Sequence, residues 1–255
     1  MSKRILVTND DGIHSPGLGI AESIARSLSD DVWVVAPETE QSGASHSLTL
    51  SLPLRLRRID ERHFAVTGTP TDCVMMACAH VMKDAQPTLI LSGVNRGANI
   101  AEDVTYSGTI AGAMEGTALG IPSIALSQSY GFDEGYQVRW QCAETHGPAI
   151  VKKLLDAGWP PETLMNVNFP DCEPDKVAGI EVTEQGKRDM QTAILDKRVD
   201  MRGNPYYWIG FQRVRSKPRR GTDLAAIYER RISVTPLHLN LTEFALREKM
   251  KSLFA

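Results

Sequence analysis

Apolar residues in this chain come in short, unbroken runs that end abruptly in polar loops. Ile5-Leu6-Val7, Asp31 to Pro37 (DVWVVAP), Pro87 to Ser92 (PTLILS), Ile121 to Leu126 and Leu164 to Phe169 (LMNVNF) each read as a strand. Continuous runs of this length suit strands buried on both faces, as in a parallel sheet. Gly17 to Leu28 has apolar residues at helical spacing with Pro16 placed to start it, and Ile110 to Leu119 is a helix rich in small residues. Leu48 to Leu56 and His63 to Thr67 predict a hairpin that interrupts the alternation. Gly68 to Cys73 (GTPTDC) predicts a capped helix start that continues through Val81. The order β-α-β-(hairpin)-α-β-α-β predicts an α/β fold: a three-layer Rossmann-like parallel sheet with a hairpin insertion and right-handed crossovers.

The second half is patterned less regularly. Trp140 to Leu155 predicts a helix ending near Gly158, and Ile180 to Thr183 and Ile232 to Leu237 predict strands. Residues 184 to 203 are charged without clear periodicity and read as a projecting excursion, followed by a short aromatic strand at Tyr206 to Ile209. Thr222-Asp223 caps a helix through Tyr228, and Glu243 to Phe254 is an amphipathic terminal helix. Residues 1–130 therefore form the core, and residues 131–255 complete it and add the projecting loop and a C-terminal arm.

Composition narrows the function. With 255 residues, 42% hydrophobic and 23% charged, the chain is ordinary globular material. A net charge of −3 gives no pull toward nucleic acid polymers. The basic run Arg213 to Arg220 (RVRSKPRR) has no aromatic residue interleaved, so it reads as a solvated loop or a subunit contact. No apolar run reaches the ~18 residues of a membrane span, so no membrane partner is expected. No charged-then-apolar leader precedes the first strand, which points to the cytoplasm. Cys73, Cys78, Cys142 and Cys172 match no zinc spacing and are read as small reduced residues.

The candidate chemistry lies at the strand ends. The first strand runs into Asn9-Asp10-Asp11-Gly12, two adjacent carboxylates and a glycine. Like charges side by side repel, and a divalent cation relieves the repulsion because hard cations prefer carboxylate and carbonyl oxygens. The second strand runs into a polar loop containing Ser42 and Gly43, and the strand of Pro87 to Ser92 runs into Gly93 to Ile100 (GVNRGANI) with Asn95 near its tip. Parallel strands share one carboxyl edge, where open α/β sheets bind ligands. Asp10, Asp11, Ser42 and Asn95 are all hard oxygen donors, the set for Mg²⁺, Mn²⁺ or Ca²⁺ rather than zinc. Ser107-Gly108-Thr109 opens a helix, where free N–H groups, two hydroxyls and the positive dipole end suit an anion. Asn99 can donate N–H to the same anion, and Arg96 either binds phosphate or pairs with Glu102 or Asp103. Metal beside phosphate points to phosphoryl chemistry.

These motifs resemble the survival protein E (SurE) family of metal-dependent nucleotidases. The resemblance is carried by NDDG at 9–12, the loop at 36–45, GTPTDCV at 68–74, SGVNRGAN at 92–99, YSGT at 106–109, NVNFP at 166–170, YWIG at 207–210 and SVTPL at 233–237. It implies hydrolysis of nucleoside monophosphates to nucleoside and phosphate, as a 5′- and also 3′-nucleotidase with a side activity on polyphosphate. It implies one divalent cation per subunit, Mg²⁺ or Mn²⁺, held by Asp10, Asp11, Ser42 and Asn95. Asp10, Asp11 and Asn95 are the expected catalytic set, and Asn99, Ser107, Gly108 and Thr109 map onto phosphate-contacting positions. Either aspartate could take the proton of the attacking water. The resemblance further implies a homodimer or homotetramer with exchanged C-terminal segments. Two departures lie in the C-terminal arm: Asn240 where aspartate is expected, and Glu229-Arg230-Arg231 where a glycine-containing turn is expected. Two rival readings are a phosphatase with an aspartyl-phosphate intermediate and a non-catalytic nucleotide- or phosphate-binding regulatory module. The first normally spaces its carboxylates as D-x-D, whereas here they are adjacent.

Overall fold

The fold is that of a computed structural model, which describes residues 3–131, 137–189, 191–213 and 216–254. In chain order the first half comprises β1 (Arg4–Thr8), α1 (Pro16–Arg26), β2 (Asp31–Pro37), β3 (Leu56–Arg58), β4 (His63–Val66), α2 (Pro70–Met76), β5 (Leu89–Arg96), α3 (Gly108–Ala118) and β6 (Ser123–Gln128). The second half comprises α4 (Gln141–Ala157), β7 (Thr163–Phe169), β8 (Ile180–Val182), β9 (Gln191–Val199), β10 (Pro205–Arg213), α5 (Asp223–Tyr228), β11 (Ile232–His238) and α6 (Phe244–Lys251).

The main sheet has the strand order β3-β4-β2-β1-β5-β6-β7-β11-β8. From β4 to β7 every pairing is parallel. Renumbered by their own succession, these strands run 3-2-1-4-5-6, the doubly wound arrangement whose order reverses between the first and fourth strands. The reversal falls between β1 and β5. Their connections leave in opposite directions there, and folds of this kind bind ligands beyond the carboxyl ends at such a point. β11 closes the far side antiparallel to β7, so the sheet is mixed rather than wholly parallel.

The unbroken apolar runs follow from this position. Ile5 and Val7 join a core cluster with Leu18 and Ile24 of α1 and with Ala143 and Val151 of α4. Leu6 faces the other way, into a cluster with Cys73 and Val74 of α2. All three β1 residues are fully buried, because alternate side chains of a central strand meet a helix layer on either face. α3 joins the second helix layer, packing with α2. Its Ile110 and Ala113 pack with Ala125 and Leu164. Gly112 lets it sit tightly, since a Cβ there would lie 2.8 Å from Ser92 Oγ.

Three elements differ from the expectation. Leu48 to Arg55 is irregular; only Leu56–Arg58 pairs with β4, and β4 extends the main sheet beside β2. The alternating Leu48, Leu50 and Leu52 are exposed, and Thr49 instead anchors the segment by donating both its N–H and its hydroxyl to Asp72. Asp72 also completes a reciprocal capping box with Thr69 at the start of α2. The excursion after residue 184 contains β9, which pairs antiparallel with β10 as a separate two-stranded ribbon. Leu195, Tyr207 and Trp208 on it are exposed, so no buried face imposed a period on its sequence. The aromatic strand is correspondingly longer than Tyr206 to Ile209.

α6 buries none of its residues. Arg230 sits at φ 58°, in the left-handed region that a glycine turn would occupy. The four cysteines are buried free thiols, and burial pushes the Cys142 thiol up to about 12. Among the described residues no helix is long and apolar enough to cross a membrane.

Candidate functional site

The turn after β1 is built around Asn9, whose Nδ2 donates to Gly12 O (3.1 Å) and to Ser15 Oγ (2.7 Å). Gly12 takes φ 97°, which only glycine adopts readily. Asp10 is only 4% exposed. Thr109 Oγ1 donates to its Oδ1 at 2.6 Å, and its Oδ2 faces Gly108 at the first turn of α3. Burial, assisted by the charge of Asp11, raises the Asp10 pKa to about 6, against the pull of the Thr109 hydroxyl. Asp11 accepts the Arg96 backbone N–H on Oδ2 at 3.0 Å. Its pKa is raised by burial and by the nearby charge of Glu40, against that N–H.

The loop after β2 is strapped across this turn. Gln41 N donates to Asp10 O (2.7 Å), Ser45 N to Tyr106 O (3.2 Å) and Ser45 Oγ to Thr105 O (2.8 Å). His46 meets Glu115 of α3 at 3.0 Å. Ser42 stands on the exposed crest, and its hydroxyl donates to Glu40 Oε1 at 2.9 Å.

From β5, Asn95 Nδ2 donates to Gly97 O at 2.8 Å, which turns its carbonyl oxygen the other way. Asn99 is tied to β6 and β7 instead of the aspartates. Its N–H donates to Asn168 Oδ1 (2.8 Å), its Nδ2 to Ser127 Oγ (2.9 Å), and its carbonyl accepts from Asn166 Nδ2 (2.8 Å). Its backbone N–H and one amide hydrogen are therefore used inside the protein, which leaves the second amide hydrogen for an anion. The Arg96 guanidinium lies 5.7 Å from the Tyr130 ring centroid, while Arg188 reaches both Asp103 (2.7 Å) and Glu102 (3.5 Å).

At the start of α3, Ser107 Oγ accepts the Ile110 N–H at 3.0 Å as a helix cap, and Thr109 gives its proton to Asp10. The Thr109 hydroxyl proton is thus spent within the protein, whereas Ser107 Oγ only accepts there and keeps its proton for an anion. What the helix offers an anion is its N-terminal N–H groups, the Ser107 hydroxyl and its dipole.

The structure thus gathers the β1 turn, the Ser42 loop, the β5 tip and the α3 terminus at the β1/β5 switch point. Every candidate donor has one atom engaged: Asp10 Oδ1 by Thr109, Asp11 Oδ2 by Arg96 N–H, the Asn95 amide by Gly97 O and the Ser42 proton by Glu40. Each keeps an oxygen lone pair for something else. Among the described residues no cluster of three His, Cys, Asp or Glu side chains could hold a metal. A site here rests on two carboxylates completed by hydroxyl and amide oxygens. Two buried or half-buried carboxylates with raised pKa values, backed by neutral oxygen donors, fit a hard divalent cation.

Sequence reasoning missed several of these residues. Glu40 looked like one more polar loop residue, and Thr109 carried no sign of its tie to Asp10. Asn166 and Asn168 did carry a signal: two amides at i and i+2 on a strand otherwise apolar point to one buried face.

A doubly wound fold with oxygen donors gathered beside a helix N-terminus at its switch point defines a class of phosphate-handling α/β proteins, and comparison with known proteins gives the family. The family model for survival protein SurE matches residues 5–192. A relative from Parvibaculum lavamentivorans named 5′-nucleotidase SurE is 64% identical over 241 residues, covering 94% of this chain and 87% of its own. One of the same name from Rhodopseudomonas palustris is 61% identical over 254 residues, covering 99% and 100%. The crystal structure of SurE protein from Aquifex aeolicus matches with a TM-score of 0.83 at 41% identity, covering 99% and 100%. The chain belongs to the survival protein SurE family.

Proposed function

We propose that this chain is a metal-dependent 5′-nucleotidase that hydrolyses nucleoside monophosphates to nucleoside and phosphate. The observation that carries the reading is the placing of Asp10, Asp11, Ser42 and Asn95 at the switch point of the sheet, each with one atom held by a protein partner and an oxygen left over. The names of its relatives support the same activity.

One divalent cation, Mg²⁺ or Mn²⁺, supplies Lewis acidity toward a phosphoryl oxygen and an acidic water. In this proposal Asp10, Asp11, Ser42 and Asn95 would hold it through the oxygens that their protein partners leave free. The N-terminus of α3 at Ser107 and Gly108, together with the remaining Asn99 amide hydrogen, receives the other phosphoryl oxygens and the charge that develops on them. Asp10 is buried and clamped, which suits an anchor. Asp11 is more exposed, so it can take a proton from the attacking water and pass it to solvent. Catalysis on this account comes from Asp10, Asp11 and Asn95. The exposed apolar residues of the β9–β10 ribbon and of α6, Trp208 and Phe244 among them, support assembly into a homodimer or homotetramer through that arm. Four free thiols support a reducing, cytoplasmic location.

The test is phosphate release from a panel of nucleoside monophosphates with Mg²⁺, with Mn²⁺ and with a chelator. Release that the chelator abolishes and the cation restores is expected. Binding without release under every condition would mark a non-catalytic module, and release indifferent to chelation would exclude the cation.

A further inference from the structure

We propose that Thr109 is a positioning residue whose side chain orients Asp10 toward the cation and does not contact phosphate. The inference rests on the metal reading of the preceding section and assigns a different role to a residue that the family resemblance places among the phosphate contacts. Thr109 is fully buried, and its hydroxyl has one proton to donate. That proton goes to Asp10 Oδ1 at 2.6 Å, within the short range of charge-assisted O–H···O⁻ bonds. A hydroxyl so committed cannot donate to a phosphoryl oxygen at the same time.

The geometry gives the bond a purpose. Asp10 lies against Gly108, where a Cβ would come within 3.0 Å of Oδ2 and 2.8 Å of Asp10 Cβ. With Oδ1 fixed by Thr109 and the stem fixed against Gly108, Oδ2 has one direction left to face. Partners of this kind, which orient a ligand without touching the metal, govern affinity in metal sites. Asp11 and Asn95 are oriented by backbone groups, the Arg96 N–H and the Gly97 carbonyl, which substitution cannot remove. Thr109 does the same for the buried carboxylate with a side chain, so its role can be tested.

The experiment titrates Mn²⁺ calorimetrically into the full-length wild type, Thr109→Val, Thr109→Ser and Asp10→Asn, without substrate. It is paired with inhibition by inorganic phosphate at saturating Mn²⁺. Thr109→Val removes the hydroxyl at nearly constant shape and should weaken Mn²⁺ on the order of 10- to 100-fold. Thr109→Ser keeps the donor and should bind close to wild type, and phosphate inhibition of Thr109→Val should be unchanged once the cation is saturating. Should Thr109→Val fail to fold, Thr109→Ala is compared with Thr109→Ser in the same way. Wild-type Mn²⁺ affinity in Thr109→Val with weakened phosphate inhibition overturns the proposal and restores the phosphate role. Equal losses in the Val and Ser variants overturn it too, since the methyl would then be what matters. Undiminished Mn²⁺ binding by Asp10→Asn is a separate failure, of the metal reading itself.

Discussion

Gly108 stands so close to Asp10 that a Cβ on it would meet the Asp10 Cβ at 2.8 Å and Oδ2 at 3.0 Å. Gly108→Ala must therefore push the carboxylate aside or tilt α3 off the sheet. A displacement of about 1 Å at a reacting site can cost on the order of 100-fold in rate. Steady-state kinetics should show a fall of that size in kcat/KM, with a stability loss of about 1–3 kcal/mol from overpacking. Unchanged kcat/KM would mean that the close approach has no bearing on the site.

Asp10 makes the cation-free protein sensitive to pH. Its folded pKa is about 6 against an ordinary 3.8, so the folded form binds the proton more tightly than the unfolded chain does. The stability it contributes is complete below pH 3.8 and is lost as pH rises through about 6. The shift corresponds to a loss on the order of 3 kcal/mol. With a chelator present, the melting temperature of the wild type relative to Asp10→Asn should fall between about pH 4 and 6 and level off above. Added Mn²⁺ should recover more at pH 7 than at pH 5, because the metal binds the ionised carboxylate. A wild-type minus Asp10→Asn difference that is flat across that range would contradict the raised pKa.

Asn168 supports the loop that carries Asn99. Asn168→Ala removes the acceptor of the buried Asn99 N–H (2.8 Å) and leaves that donor unsatisfied. Urea denaturation should report a loss of about 1–3 kcal/mol. KM should rise more than kcat falls, since the neighbouring loop would hold phosphate less well. A substitution without effect on either would remove Asn168 from the account.

Glu40 is exposed, and it matters through its charge near Asp11 and its grip on the Ser42 proton. Glu40→Gln keeps an acceptor and removes the charge. One charge acting through water at about 4 Å is worth about 1 kcal/mol, or roughly five-fold in Mn²⁺ affinity. The difference between the two proteins should shrink at high salt. Equal affinities at low salt would show that Glu40 does not feel the cation.

The fold was largely legible because its central strands are buried on both faces, so Ile5-Leu6-Val7 and Asp31 to Pro37 stand out as unbroken apolar runs. Helix ends were legible through capping chemistry at Thr69 and Thr222. Exposed elements were not. Leu48, Leu50 and Leu52 alternate like a strand but face solvent, and β9 has no buried face to give it a period. At the site, residue types marked the donors, since Asp10, Asp11 and Ser42 follow strand ends and Asn95 lies at the last residues of β5. What orients each donor was hidden, because Thr109 and Asp10 are 99 residues apart and their bond is visible only once α3 lies against β1.

The central claim is that the Asp10 carboxylate carries the chemistry at this edge. It is tested most directly by phosphate release from a nucleoside 5′-monophosphate by wild type and Asp10→Asn at saturating Mn²⁺. The account predicts a loss on the order of 100-fold or more in Asp10→Asn, the scale expected for removing a transition-state electrostatic partner. Near-wild-type release by that variant would contradict it.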